Sequence, residues 1–226
     1  VPALDLAATQ RAKWDLLRDY LTSYAEHRPV RKVTVVGNAP VQPDPARVAD
    51  IQSSDLVIRV NSLALDEPDG PPCVGTRCNA LITSRYAPVT PWTFRNYKRR
   101  AYLIPQAGFG VRSSLMPQPG YWPADLGTLP IPYAPVVAEL KDLLDPGHQP
   151  GKLIPTTGTL ACWLAHELFP DADFLATGFS FLDGTQQEAW RYQSGGGSPV
   201  IPQHRLDLEG ALLRSWIADG SLRVHL

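Results

Sequence analysis

The segment Lys32-Val33-Thr34-Val35-Val36-Gly37-Asn38 decides the fold class of this chain. Apolar and β-branched residues run from Val33 to Val36 without polar alternation, which suits a parallel strand buried on both faces. Gly37 lets backbone approach closely at the strand's end. Asn38 then offers both a donor and an acceptor. In isolation the Gly37-Asn38 pair fits a simple turn as well as a binding site.

On either side of this segment, helical and strand patterns alternate. Leu6, Trp14, Leu17, Tyr20 and Leu21 recur at helical spacing and predict a helix over 5–27, with Asp5 as its cap. A short helix or turn is expected over 43–49. Further strands are expected at 56–60, 79–83, 101–104, 173–178 and 222–225, and further helices at 134–144, 158–169 and 205–218. This order predicts an α/β fold: one Rossmann-like domain over 1–226, with a mostly parallel sheet and helices on both faces. Ligands of such sheets bind beyond the carboxyl ends of the strands. That rule singles out Gly37-Asn38, Asn61, Thr83-Ser84, Pro105-Gln106 and Phe179-Ser180. Stretches rich in proline and glycine, at 66–72, 105–134, 145–155 and 195–202, are expected to be ordered loops or linkers.

Composition narrows the function. The 226 residues are 44% hydrophobic, enough for a substantial core, and the net charge is −1. Without a basic excess, a generic nucleic-acid binder is not expected. The one basic run, Lys98-Arg99-Arg100, fits a solvated turn, or a contact with an anionic acceptor or a peripheral membrane face. No run of 18 apolar residues is present, so no membrane-spanning helix is expected, and the N-terminus lacks the apolar core of a secretory signal. Cys73, Cys78 and Cys162 have neither disulfide-framework nor zinc-site spacing, which points to a reducing, cytoplasmic setting.

The glycine signatures of dinucleotide sites and of phosphate-binding loops are absent, so neither NAD, FAD nor a standard ATPase is expected. Pro155-Thr156-Thr157-Gly158 leads into an apolar helix. Hydroxyls and N–H groups at a helix start make an anion site or an ordinary cap. His166, inside that helix, fits packing. His204, just before the last helix, and Glu209 form a His-x4-Glu pair. A histidine there can serve as general base near neutral pH, and Glu209 can orient or charge-stabilise it or its loop.

These features occur in one order, and the order resembles the eukaryotic-type sialyltransferase family. The family's long motif is similar to Val33-Thr-Val-Val-Gly-Asn-Ala-Pro40, Ile51-Gln-Ser-Ser-Asp-Leu-Val-Ile-Arg-Val-Asn61 and Val74-Gly-Thr-Arg-Cys78. Its short motif is similar to Pro155–Gly158 through Asp173-Phe-Leu-Ala-Thr-Gly-Phe179, and its very short motif to His204–Glu209. The ending Ser221-Leu-Arg-Val-His225 also matches. The likeness covers roughly 33–85 and 153–226, while 86–152 has no counterpart.

The resemblance implies a variant of the GT-A-type glycosyltransferase architecture and a CMP-sugar donor. It assigns donor contacts to Gly37, Asn38, Asn61, Ser84, Thr156, Thr157 and Gly158, and makes His204 the catalytic base with Glu209 as its acidic partner. The expected reaction is inverting transfer of sialic acid or a related ulosonic acid to a glycan or glycoconjugate hydroxyl. A CMP-3-deoxy-octulosonate-type donor is the alternative within that chemistry, and a non-catalytic cytidine-nucleotide-binding protein the alternative outside it. No Asp-x-Asp motif is present, so neither a metal nor any cofactor beyond the donor is expected.

There are departures. Val33 and Phe169 stand where the family carries a bridged pair of cysteines, and no counterpart of the family's anchor and stem is present, in keeping with a cytoplasmic setting. Trp190-Arg191-Tyr192-Gln193 lacks the family's phosphate-contacting histidine, leaving Arg191 or Tyr192 for that role. The acceptor side is expected in 86–152, where Tyr86, Trp92, Phe94, Tyr97, Tyr102 and Trp122 either stack on sugar rings or pack the loops.

Overall fold

The computed structural model describes residues 5–105, 119–149, 151–182, 184 and 186–225. Gln106 and the rest of 106–118, part of the expected acceptor side, lie outside the described residues.

The elements run α1 (Leu6–Ser23), β1 (Lys32–Val36), α2 (Pro45–Gln52), β2 (Leu56–Val60), β3 (Ala80–Ile82), β4 (Ala101–Pro105) and β5 (Leu129–Ile131). They continue with α3 (Ala138–Leu144), α4 (Thr157–Leu168), β6 (Asp173–Thr177), β7 (Ala189–Arg191), β8 (Gly197–Pro199), α5 (Leu206–Ala218) and β9 (Arg223–His225). Seven strands form one sheet in the order β5-β4-β3-β2-β1-β6-β9, and every pairing in it is parallel. From β1 the chain builds outward through β2 to β5, then returns to add β6 on the other side of β1. The order therefore reverses between β1 and β6, which opens a crevice at their carboxyl ends.

The inner strands β1, β2, β3, β4 and β6 bury both faces, so their side chains divide between the two sides of the sheet. Val33, Val35, Leu56, Ile58, Val60, Leu103 and Phe174 join the cluster under α1, α3, α4 and α5. Val36 and Val57 pack instead on Ile51 of α2 and on Cys73 and Val74. Leu81, Tyr102 and Ile104 pack on Leu63, Leu65, Trp122 and Leu126. Helices thus cover both faces, unequally: four on one, and α2 with irregular loops on the other. The first face dominates the energetics, since each large apolar side chain fully buried contributes about 1.5–3 kcal/mol.

Arg59 explains how loops can cover the second face. It is fully buried, and its guanidinium donates to the carbonyls of Arg77, Ala64, Val74 and Gly75. Burial lowers its pKa to about 10, leaving it charged at neutral pH. One cation thereby fastens the stretch 64–77 beneath β2.

Four local readings need correction. The first helix ends at Ser23 rather than 27, because the N–H of Glu26 leaves to bond the carbonyl of Asp55 before β2. The edge strand β5 falls in a stretch expected to be loop. Its Pro130 has no N–H to donate, which an edge position tolerates. The stretch expected to be a linker at 195–202 forms half of the antiparallel hairpin β7–β8, with Gly195 and Gly196 at φ of 90° and 76° in its turn. The helix expected from 134 becomes regular only at Ala138, because Ala134 is extended at φ −106° and ψ 128°.

The aromatic stretch mainly packs. Phe94 stacks on Tyr102 and meets Trp122 edge-on, Trp92 Nε1 donates to Glu67, and the Tyr97 hydroxyl donates to Asp125. Tyr86 is 78% exposed. The basic run is divided, with Lys98 paired to Asp125 at 3.0 Å and Arg100 buried against the carbonyls of Trp92 and Arg95. Among the described residues no helix is long and apolar enough to cross a membrane. All three cysteines are free, and His166 stacks on Trp216 at 4.4 Å, as a packing histidine would.

Candidate active site

Two glycines let the chain ends beyond β1 and β6 approach closely at the reversal. A Cβ on Gly37 would lie 2.2 Å from the carbonyl oxygen of Gly178, which itself sits at φ +75°. Side chains at either position would force the strand ends apart. Asn38 follows, and its Nδ2 donates to the Val60 carbonyl at 2.8 Å. Its own carbonyl accepts from the N–H of Gln193 at 2.7 Å. Asn38 therefore ties together the ends of β1 and β2 and the β7–β8 hairpin.

Asn61 ends β2 at φ 43°, a left-handed conformation that asparagine adopts more readily than most residues. Its Oδ1 accepts from the N–H of Ser84 at 3.1 Å, which aims the amide at the crevice. Ser84 is not among the residues lining the crevice; its N–H holds the Asn61 side chain.

The start of α4 forms the opposite wall. Thr156 is the cap, and its hydroxyl accepts from the N–H of Thr159 at 3.1 Å. The next two N–H groups, of Thr157 and Gly158, have no acceptor among the described residues and lie on the crevice. The helix dipole adds partial positive charge at this end. Gly158 also makes room for a neighbour, since a Cβ there would meet Phe179 at 2.8 Å.

Glu209 occupies a different place from the one expected. It is fully buried behind the α4 cap and makes no bond to His204. Its Oε2 accepts from the Thr156 N–H at 3.0 Å, the Thr156 hydroxyl at 2.6 Å and the Thr159 hydroxyl at 2.5 Å. Its Oε1 is buried without a partner among the described residues. Burial outweighs these hydrogen bonds and raises its pKa from 4.5 to about 7. Glu209 fixes the cap that presents the Thr157 and Gly158 N–H groups; it is a positioning residue.

His204 faces the crevice from the loop before α5. Its Nδ1 lies 2.6 Å from the carbonyl oxygen of Ile154. A carbonyl only accepts, so Nδ1 carries the hydrogen and Nε2 is left with its lone pair. Nε2 has no partner among the described residues. Burial lowers the pKa of the ring below its ordinary value, which keeps it neutral at pH 7. This is the protonation state a general base needs.

The hairpin closes the remaining side. Gln193 accepts from the N–H of Val41, and the Ser194 hydroxyl donates to the Ser62 carbonyl at 3.0 Å. Trp190 packs edge-on to both His204 and Phe181. The Tyr192 hydroxyl is engaged with Ser198 at 2.6 Å, whereas Arg191 has no hydrogen-bond or ion-pair partner among the described residues.

All the expected site residues except Ser84 and Glu209 therefore line one cleft of about 610 Å³: Gly37, Asn38, Asn61, Thr156, Thr157, Gly158, Arg191, Tyr192 and His204. Its apolar walls are Phe179, which the strand-end rule singled out, and Phe181 and Trp190, to which sequence reasoning gave no role in the site. Aromatic residues directly after a strand and beside Arg191 were the available signal. Among the described residues, no cluster of three or more histidine, cysteine, aspartate or glutamate side chains is arranged to hold a metal.

No family model matches the sequence. No curated protein matches it either. Solved structures do. A mammalian sialyltransferase in complex with Gal-beta-1-3GalNAc-ortho-nitrophenol superposes with a TM-score of 0.58 at 17% identity, covering 96% of this chain and 85% of that one. Another mammalian sialyltransferase structure gives a TM-score of 0.56 at 16% identity, covering 96% and 84%. These likenesses establish a shared fold.

Proposed function

We propose that this protein is an inverting glycosyltransferase that moves sialic acid, or a related ulosonic acid, from a CMP-sugar to an acceptor hydroxyl. The observation that carries the reading is the neutral His204, with Nδ1 held by the Ile154 carbonyl and Nε2 unengaged, in the same cleft as the unpaired N–H groups at the start of α4. One group accepts a proton and the other receives developing negative charge. A displacement in which a hydroxyl attacks and a phosphate leaves needs both. The fold shared with mammalian sialyltransferases supports the same assignment.

In the proposed reaction Nε2 of His204 takes the proton of the acceptor hydroxyl as its oxygen attacks the anomeric carbon. The bond from that carbon to the phosphate oxygen breaks, and CMP departs. The Thr157 and Gly158 N–H groups stabilise the departing phosphate, with Arg191 adding charge at the border of the cleft. Asn38 and Asn61 hold the nucleotide. The glycan acceptor approaches from the His204 side. Replacement His204→Ala is expected to reduce transfer by about a hundredfold or more while leaving CMP affinity near that of the wild type. Retention of full transfer by His204→Ala would overturn the assignment.

A further inference from the structure

A second cleft, of about 850 Å³, adjoins the first across Arg191. Strand alternation makes the partition. Trp190 and Tyr192 line the first cleft, Ala189 lines the second, and Arg191 borders both. The second cleft contains neither His204 nor the start of α4, so it has no part in the transfer step. Its size is nonetheless that of a small-molecule site.

The lining defines the chemistry of an occupant. Gln187 Nε2 is buried with no hydrogen-bond partner among the described residues. A buried donor left unpaired is unfavourable, and a ligand oxygen that accepts from it relieves that state. The Arg191 guanidinium also has no partner among the described residues. Much of the remaining wall is apolar, from Pro40, Val41, Leu182 and Val224. Among the described residues no carboxylate lines the cleft. The one behind His225 is neutralised, since Asp50 lies 2.8 Å from His225 Nε2 and 2.8 Å from Lys32 Nζ. One cation and one amide donor match the two oxygens of a carboxylate. A phosphate dianion would need more charge than one guanidinium and would lose hydration against the apolar wall. That wall instead suits an apolar body attached to the carboxylate.

We propose that the second cleft is a regulatory site for a small carboxylate with a branched or aromatic body, its oxygens meeting Gln187 Nε2 and Arg191. Arg191 then serves two anions. A carboxylate in the second cleft draws the guanidinium from the first, and a phosphate in the first draws it back. Each ligand therefore weakens the other, by the same factor in both directions. This coupling rests on the reading of the first cleft as a CMP site; the carboxylate site does not.

The test is calorimetric titration of the full chain with isovalerate and phenylacetate. Acetate, which lacks the apolar body, and inorganic phosphate are the comparisons. At least one of the two probes is expected to bind the wild type saturably, and both comparisons to bind far more weakly. The bound probe should weaken CMP binding about tenfold, and CMP should weaken the probe equally. Gln187→Leu removes the amide donor and Ala189→Trp fills the cleft. Both variants should lose the probe and its effect on CMP while binding CMP alone as the wild type does, which also reports that they remain folded. No saturable binding of either probe to the wild type overturns the proposal, as does unchanged binding in both variants. Binding that leaves CMP affinity unaltered overturns the sharing of Arg191. Equal effects of acetate or phosphate on CMP place the competition in the first cleft and overturn the second-cleft site. A wild type that binds a probe but not CMP overturns the CMP reading and leaves the carboxylate site standing.

Discussion

Replacing Glu209 by glutamine should remove one specific component of the pH dependence of folding. Glu209 is fully buried, and its pKa rises from 4.5 to about 7 on folding because burial disfavours the charged form. Below pH 4.5 both folded and unfolded chains carry it protonated, and folding is unaffected. As pH rises the unfolded chain ionises first. Stability is lost through the window from 4.5 to about 7, and the loss is complete above it. The size follows from about 1.36 kcal/mol per pH unit of displacement, giving roughly 3 kcal/mol. His204 acts in the opposite sense, because its folded pKa is lowered: its contribution is present above its ordinary value and lost as pH falls through the folded one. The wild type is therefore compared with Glu209→Gln, in which His204 is common to both. Glutamine keeps an oxygen to accept from the Thr156 N–H, so the α4 cap survives. Urea unfolding at closely spaced pH values from 4.5 to 8 should show Glu209→Gln gaining on the wild type by roughly 3 kcal/mol across that range. Parallel stability curves for the two proteins would refute the assignment of a buried, pKa-raised carboxyl.

Other consequences are more direct. In Gly37→Ala the new Cβ meets the backbone oxygen of Gly178 at 2.2 Å, which a strand end cannot easily relieve. Overpacking of this kind costs about 1–3 kcal/mol, so calorimetry should show a lower Tm for Gly37→Ala than for Gly120→Ala, where nothing lies within 4 Å. The lowered pKa of His204 places the acid limb of kcat/KM below 6.5, with a plateau through neutral pH; a limb centred at or above 6.5 would count against His204 as base. Treatment with a chelator should leave the rate of transfer unchanged, because the α4 N–H groups supply the charge stabilisation assigned to the leaving phosphate; loss of activity restored by added divalent cation would contradict this.

Local pattern carried the class of the fold. Apolar and β-branched residues at Val33–Val36 and the mostly apolar run Leu56–Val60 mark strands buried on both faces, and Asn38 and Asn61 just beyond them line the cleft. β5 escaped because three residues around Pro130 carry no periodicity, and the hairpin because Gly195 and Gly196 fit an ordered loop or linker equally well. Asn38, Asn61, Thr157 and His204 were all legible as candidates from their positions at element ends, and they line one cleft. Their partners were not.

Sequence by itself determined the order of the helices and of the strands β1–β4, β6 and β9, because burial on one face or both leaves a periodic imprint along the chain. Only the tertiary structure decided which polar group meets which. The reversal of strand order sets Gly37 against Gly178, and Glu209 reaches Thr156 across 53 positions instead of the nearby His204. Hydrogen bonds are satisfied by whatever packing brings within about 3 Å, and separation along the chain does not record that distance.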